Sequence, residues 1–326
     1  MSKSAPIALV MPVISAVLGT LGPWTSHPAP GVAGVADHVI VTGQSAILRY
    51  WTSERMMRAL VPPHRPQPRP LTDRPDVGSP IAIPGSGFDP APAARHQGVE
   101  SPGAPWTFRG AVRATTGKVF FTVNGGDFVC SAGTVTGANK DLVVTAGHCA
   151  QDATGSWARN WIYVPGYDQG RRPYGAFAAR HLFVPSAWSS RGDENYDVAL
   201  VALATADGRH VADVVGAQGI AFDQPRGSLV YGFGYPSGGR YDGERLTYCS
   251  GRTYPDSHRI THDEGLRCDM TEGSSGGPWL TRFDAGTGTG VVTSVSSFKY
   301  ADDPATMYGP YFGSAVRRVY DRAQRA

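Results

Sequence analysis

From residue 118 onward, short runs of alternating apolar and polar positions follow one another, punctuated by glycine, asparagine and aspartate. Val119-Phe120-Phe121-Thr122-Val123 leads into Asn124-Gly125-Gly126-Asp127. An amide or carboxyl residue beside glycine between two alternating runs is a hairpin signal. It predicts a return strand over 128–135, a turn over 137–141 and a third strand over 142–146. Further strands are expected at 161–164, 178–184, 198–203, 228–236, 246–249, 265–268 and 290–298. Residues 246–249 and 265–268 read as facing partners. Residues 315–325 have the period of a short amphipathic helix. Aromatic side chains recur through 151–191 (Trp157, Trp161, Tyr163, Tyr167, Tyr174, Phe177, Phe183, Trp188) and are expected in core and cross-strand packing.

The first third of the chain has a different texture. Residues 7–21 are apolar but broken by Pro12, preceded only by Lys3, and too short for a stable membrane span. Small residues at Ala29, Ala33 and Ala36 offer cleavage points, so 1–36 reads as an export signal. In 37–105, Ser53 is placed to cap a short helix showing Met56, Met57 and Leu60. Proline then recurs every few residues from 61 to 105, which predicts an extended linker without a hydrogen-bonded ladder. The expected organisation is 1–36 signal, 37–105 proline-rich linker, and 106–326 a β-rich domain, with the change of texture falling between 95 and 118.

Composition narrows the class. Charged residues make up 17% of the chain and hydrophobic ones 41%, so a sizeable core can be buried. A net charge of +3 with no block of like charges argues against nucleic acid as a partner. The four cysteines fall as Cys130 with Cys149 and Cys249 with Cys268. Without a C-x-x-C spacing they read as two disulfides of an exported protein rather than a metal or redox site. His258 and His262 lie four apart in a loop-like stretch with no third ligand evident, so no metal and no cofactor is expected.

The chemistry concentrates in Gly273-Ser274-Ser275-Gly276-Gly277-Pro278. A serine hydroxyl needs a base to become a nucleophile. Flanking glycines allow the tight backbone that turns N–H groups toward a reacting carbonyl. A nucleophile elbow of the α/β-hydrolase kind also fits Gly273-x-Ser275-x-Gly277, but that fold needs its histidine after the serine, and the last histidine is His262. Two earlier stretches complete the set: Thr145-Ala146-Gly147-His148-Cys149 and Asp197-Val198-Ala199-Leu200.

Together these three stretches resemble the signatures of chymotrypsin-like serine peptidases, over roughly residues 116–320. The resemblance implies an all-β fold of two antiparallel Greek-key β-barrels with the active site in the cleft between them and a short C-terminal helix. It implies His148 as general base, Asp197 as its orienting acid and Ser275 as nucleophile, with the N–H groups of Gly273 and Ser275 as oxyanion hole. It further implies a Cys130–Cys149 bridge beside the histidine; a Cys249–Cys268 bridge would pin the segment leading to Ser275. The activity implied is that of a secreted, monomeric endopeptidase acting on protein or peptide substrates, made as a precursor in which 37–105 is propeptide and linker, 106–326 is the peptidase domain and the mature chain starts between 95 and 118. A non-catalytic binding protein on the same fold is the alternative, and an esterase a more distant one.

The sequence departs from the trypsin-type pattern in one respect. Where that branch carries an aspartate that receives the new N-terminal ammonium, this chain has Ser274. The pattern is closer to secreted bacterial peptidases, including glutamyl endopeptidases. Asp269, six before Ser275, matches the acid of the trypsin primary pocket. It ranks basic residues first at the cleavage site, small or apolar ones second and acidic ones last.

Overall fold

The long alternating runs form ladders that close on themselves. The computed structural model describes Met1 and residues 34–61, 75–87 and 100–326. Strands Thr116–Val123 and Gly126–Thr134 form the expected hairpin, paired from Thr116↔Gly133 to Val123↔Gly126. Asn124 and Gly125 both take positive φ at its turn, which suits their side chains. Leu142–Thr145, Arg159–Pro165, Phe177–Pro185 and Ala199–Leu203 complete a six-stranded antiparallel barrel. It is closed by the pairing of Phe177–Pro185 with Ala199–Leu203.

The second half is built from two sheets rather than one ring. The larger is ordered Ile81–Ile83, Gly219–Phe222, Thr289–Val295, Pro278–Asp284, Leu229–Gly234, Thr247–Arg252, Ser101–Pro105. Within it Gly219–Phe222 runs parallel to Thr289–Val295, an exception to the otherwise antiparallel pairing. The smaller is ordered Tyr254–Pro255, Glu264–Arg267, Asp303–Gly309, Phe298–Tyr300. The expected partnership of 246–249 with 265–268 is corrected. Thr247–Arg252 pairs with Leu229–Gly234 and Ser101–Pro105, whereas Glu264–Arg267 pairs with Asp303–Gly309. What joins the two segments covalently is the Cys249–Cys268 disulfide.

One apolar cluster runs through both halves, including Phe120, Val144 and Leu200 from the barrel and Phe233, Leu280 and Val292 from the second half. Of the aromatic run, Trp161, Tyr163, Phe177, Phe183 and Trp188 are buried. The C-terminal helix Ser314–Ala323 buries Ala315, Val316, Val319, Tyr320 and Ala323. No described helix is long and apolar enough to cross a membrane.

The N-terminal third departs from the linker expectation wherever it is described. Val35–Val39 adds to the barrel sheet in register with Phe177–Pro185, from Val35↔Pro185 to Val39↔His181. Helices Gln44–Tyr50 and Ser53–Arg58 follow. Thr52, not Ser53, caps the second, accepting from Arg55 N. Ile47, Trp51 and Met56 are buried, whereas Met57 and Leu60 are exposed. Trp51 leans on Phe120, and the Leu60 backbone bonds to Asp127 and Val129. Ile81–Ile83 and Ser101–Pro105 occupy the two outer edges of the seven-stranded sheet. Proline is compatible with edge strands, where a missing N–H leaves no inner partner unsatisfied. Trp106 sits in a cage of Phe108, Phe233, Tyr248 and Phe283. The residues read as signal lie outside the described residues up to 33; Ala36 is inside the first paired strand. From Gly34 on, all described residues belong to one compact unit.

Candidate active site

His148 lies in the short turn Gly147–Cys149 at the end of strand Leu142–Thr145, and Asp197 immediately precedes Ala199–Leu203, which pairs with that strand. The two candidates therefore meet because their strands are neighbours. Asp197 is fully buried and His148 nearly so. One carboxylate oxygen of Asp197 accepts the His148 backbone N–H at 2.8 Å, and the other faces His148 Nδ1 at 2.9 Å. The same second oxygen accepts the hydroxyl of Ser297. A carboxylate facing Nδ1 favours the tautomer with the proton there, which leaves Nε2 as an acceptor.

Ser274 and Ser275 differ sharply. Ser274 is fully buried and its hydroxyl donates to Thr271 O at 2.6 Å. Ser275 is half-buried. Its carbonyl accepts Ser131 N at 2.7 Å and lies 3.8 Å from Cys149 Sγ. The backbone of Gly276 packs so closely on the end of the histidine strand that an added Cβ would stand 2.0 Å from Thr145 Oγ1 and 2.7 Å from Ala146 N. The serine loop of the second half is thereby seated against the residues that lead into His148.

The orientation of the two candidate oxyanion donors follows from their peptide planes. In a trans peptide the C=O and the N–H point in opposite directions. The carbonyl of Glu272 accepts Ser237 N at 2.7 Å, and that of Ser274 accepts Gly277 N at 2.9 Å. Each bond fixes a plane whose other end is the N–H of Gly273 or of Ser275. Gly273 has φ +87°, and a Cβ there would approach Tyr235 O to 2.8 Å, so glycine is needed at this position. Its carbonyl accepts the Ser131 hydroxyl at 2.9 Å.

Both disulfides are formed, Cys130 with Cys149 and Cys249 with Cys268, each closing a separation of 19 residues. A loop of that length contributes about 3 kcal/mol in the chain-entropy account. The bridges anchor different machinery: one holds the residue after His148, the other the root of the loop that ends in Ser275.

Asp269 is placed differently from the expectation of a bare counter-charge for basic side chains. Its carboxylate is held by Arg240 Nη2 at 2.7 Å and by the Tyr241 hydroxyl at 2.5 Å, while its N–H donates to Pro102 O. With a guanidinium already paired to it, the acid offers little attraction to a second cation. The remaining histidines have other partners. His181 faces Asp37, and His258 packs on Tyr300 with its Nε2 toward Asp302. His262 gives its N–H to Asn195 Oδ1. Cys130, His148 and Cys149 lie close together, but the two sulfurs are bonded to each other and are not thiolate ligands.

Several contributors carried no signal in the sequence. Ser297 reaches Asp197 from 100 residues away, and Ser131 braces the serine loop from 142 residues away. Asp263 is buried with neither carboxylate oxygen hydrogen-bonded. Desolvation, reinforced by Glu194, Asp197 and Asp256, pushes its pKa well above the usual carboxylate range.

Residues 128–291 match the trypsin-like peptidase domain, and the chain belongs to that family. Among solved structures it is similar to protease Anisep from Arthrobacter nicotinovorans, at 41% identity and TM-score 0.63, covering 65% of this chain and 96% of that one. It is also similar to the thermostable serine protease AL20 from an extremophilic microorganism, at 40% identity and TM-score 0.63, covering 66% and 99%. A glutamyl endopeptidase of Bacillus licheniformis is 33% identical over 111 residues, covering 32% of this chain. The matched curated relatives are spanned over only 23% to 34% of their own lengths.

Proposed function

We propose that the protein is a secreted serine endopeptidase that cleaves peptide bonds through an acyl-enzyme on Ser275. The observation that carries the reading is the two-point hold of Asp197 on His148, backbone and ring together, combined with the serine loop seated beside it. In this reading His148 Nε2 takes the Ser275 proton as Oγ attacks the scissile carbonyl. Asp197 holds the ring and stabilises the imidazolium that forms. The N–H groups of Gly273 and Ser275 receive the developing oxyanion. His148 then gives its proton to the leaving amine, and a water molecule, activated in the same way, hydrolyses the ester. No metal or redox step enters the sequence. The substrate is a protein or peptide, and the enzyme acts as a monomer.

The same reading assigns the segment ahead of the paired strand Val35–Val39, rather than all of 1–36, to export, and of the mature starts expected between 95 and 118 it keeps those at or before Ser101. A later start would remove the edge strand Ser101–Pro105 and then the Trp106 plug. The test is labelling of the secreted protein by a fluorophosphonate, with peptide hydrolysis measured in parallel. Labelling that disappears in Ser275→Ala but persists in Ser274→Ala supports the assignment. The opposite pattern overturns it, and an unlabelled wild type returns the chain to the non-catalytic alternative.

A further inference from the structure

Lys118 is a buried charge that reaches from the barrel into the other half. It lies in strand Thr116–Val123, and its side chain is almost wholly shielded from water. Nζ donates to Gly243 O at 2.9 Å and to Glu244 Oε1 at 3.2 Å, and stands 4.8 Å from the centre of the Tyr167 ring. Gly243 and Glu244 belong to the segment 235–246, which joins strands Leu229–Gly234 and Thr247–Arg252 of the second half. Glu244 is held a second time, because its carboxylate accepts the Tyr167 hydroxyl at 2.8 Å. Burial draws the lysine pKa below its usual range, opposed by Glu244 and Asp242. A buried ion pair contributes little net stability, since desolvation offsets the attraction; its best-attested use is to hold one arrangement against others.

The arrangement held here leads to the serine loop. Gly243 has φ +74°, and a Cβ there would stand 2.9 Å from the Cβ of Ser237 and 3.4 Å from Lys118 Nζ. The segment therefore folds back on itself, with Gly243 between the lysine and Ser237. Ser237 is the residue whose N–H donates to Glu272 O at 2.7 Å. That bond fixes the peptide plane whose other end is the Gly273 N–H. The start of the segment is tied to the barrel by separate bonds. Tyr235 N donates to Ser131 Oγ and the Tyr235 hydroxyl to Tyr167 O, both at 2.9 Å. Those bonds fix where the segment leaves its strand; Lys118 fixes its return, against which Ser237 rests.

We propose that Lys118 is a positioning residue for the oxyanion-binding backbone: by holding Gly243 and Glu244 it keeps Ser237 where its N–H orients the Glu272–Gly273 peptide. This rests on the reading of Ser275 as nucleophile and of the Gly273 N–H as a donor to the oxyanion. Lys118 touches neither substrate nor reacting atoms, and no bond is made or broken through it. Its influence falls on the state in which charge develops on the carbonyl oxygen, because that is the state the Gly273 N–H stabilises.

The test uses the secreted enzyme, one peptide substrate and two inhibitors of the same sequence, a peptide aldehyde and the corresponding alcohol. Ser275 Oγ adds to the aldehyde carbon and leaves an oxygen for the oxyanion donors; the alcohol has no carbonyl to attack. Lys118→Met should lower kcat by at least ~10-fold with KM within ~2-fold, less than the about 10²–10³-fold lost with a whole oxyanion donor. It should weaken the aldehyde by a similar factor and leave the alcohol unchanged. Ser237→Pro removes the orienting N–H itself, and adding Lys118→Met to it should cost no more than ~2-fold further, as for two residues acting through one contact. Lys118→Met combined with Glu244→Gln removes both charges together and carries the same expectations if Lys118→Met alone does not fold. Fluorophosphonate labelling taken to completion counts reactive sites in each variant, so misfolded enzyme is not mistaken for slow enzyme. Unchanged kcat and aldehyde affinity in Lys118→Met overturn the proposal. Equal losses for aldehyde and alcohol do so too, as do losses that multiply in the variant with Ser237→Pro. A wild type that does not label at all overturns the peptidase reading instead.

Discussion

The half that bears His148 and the half that bears Ser275 hold their residues in different ways. His148 and Asp197 sit on adjacent strands of a closed six-stranded barrel, so their mutual position is set by ladder pairing. Ser275 sits in a loop between segments of two separate sheets. It is positioned by individual bonds: Ser131 to Gly273 and Ser275, Ser237 to Glu272, and Gly276 to Ser296. The barrel is nearly self-sufficient. The second half depends on what is brought to it, namely a braced loop, a disulfide at its root and two edge strands from far upstream. His148 is thus built into a closed barrel, whereas Ser275 is held by separate contacts, one set of which crosses from the barrel.

The comparison is broken most completely at Ser275, the proposed nucleophile. Ser275→Ala should lower peptide hydrolysis by roughly six orders of magnitude, on the scale of known triad knockouts, while Ser274→Ala loses only a buried bond to Thr271 O. Steady-state and single-turnover assays distinguish the two. Asp197→Asn should cost on the order of 10⁴ in kcat with the barrel still folded, since the amide keeps the shape but reverses the tautomer preference at Nδ1; circular dichroism checks the fold and kinetics the loss.

Truncation probes the dependence of the second half on upstream strands. A chain starting at Thr107 lacks both Ser101–Pro105 and Trp106. It should lose at least ~3 kcal/mol of stability, the usual scale for removing a buried tryptophan, read as a lowered denaturation midpoint. Starts at successive residues from 95 to 101 should be equally active, because the Ser274 hydroxyl, bonded to Thr271 O, presents no charge to receive an N-terminal ammonium. Activity confined to one start would show that another buried group receives the amine.

Ser297→Ala tests the bond by which the second half reaches the barrel's own acid. A loss of ~10-fold in kcat/KM, with a shifted acid limb of the pH profile, is expected from removing one donor to a buried carboxylate; an unchanged profile would mean that the barrel alone sets His148.

The smallest effect is expected at Asp263. Its folded pKa is raised, so the native state keeps a proton that the unfolded chain releases. Above the unfolded pKa, near 3.9, stability therefore falls as pH rises, until the folded pKa is passed. Asp263→Asn removes that slope and should leave stability near pH 4 within ~1 kcal/mol of wild type. Denaturation midpoints at several pH values decide it, and parallel slopes in both proteins would show that Asp263 is not the source.

What the sequence revealed divides along the same line. The barrel hairpins, the strand ending at His148 and the one beginning after Asp197 were legible because their pairing is local or their alternation strong. Strand Asp303–Gly309 escaped because Asp-Asp-Pro-Ala-Thr carries no apolar alternation, although its later residues are buried. The edge roles of Ile81–Ile83 and Ser101–Pro105 were hidden by proline, which reads as a ladder breaker until the position at a sheet margin is known. Pattern offered Asp269 as a pocket acid favouring basic residues, but its pairing to Arg240 and Tyr241 depends on side chains 29 and 28 residues away.

The N-terminal arm also alters what a chain break would do. Val35–Val39 is clasped by the barrel and Ser101–Pro105 by the far edge of the second half. While the backbone is continuous, the arm is confined at an effective concentration set by the tether, and its association does not depend on dilution. A single cut between positions 61 and 75 would leave Ser101–Pro105 covalently attached and turn only the contacts of Val35–Val39 and the two helices after it into a two-component complex. Its occupancy would then follow mass action, high where the enzyme is concentrated and falling as it disperses.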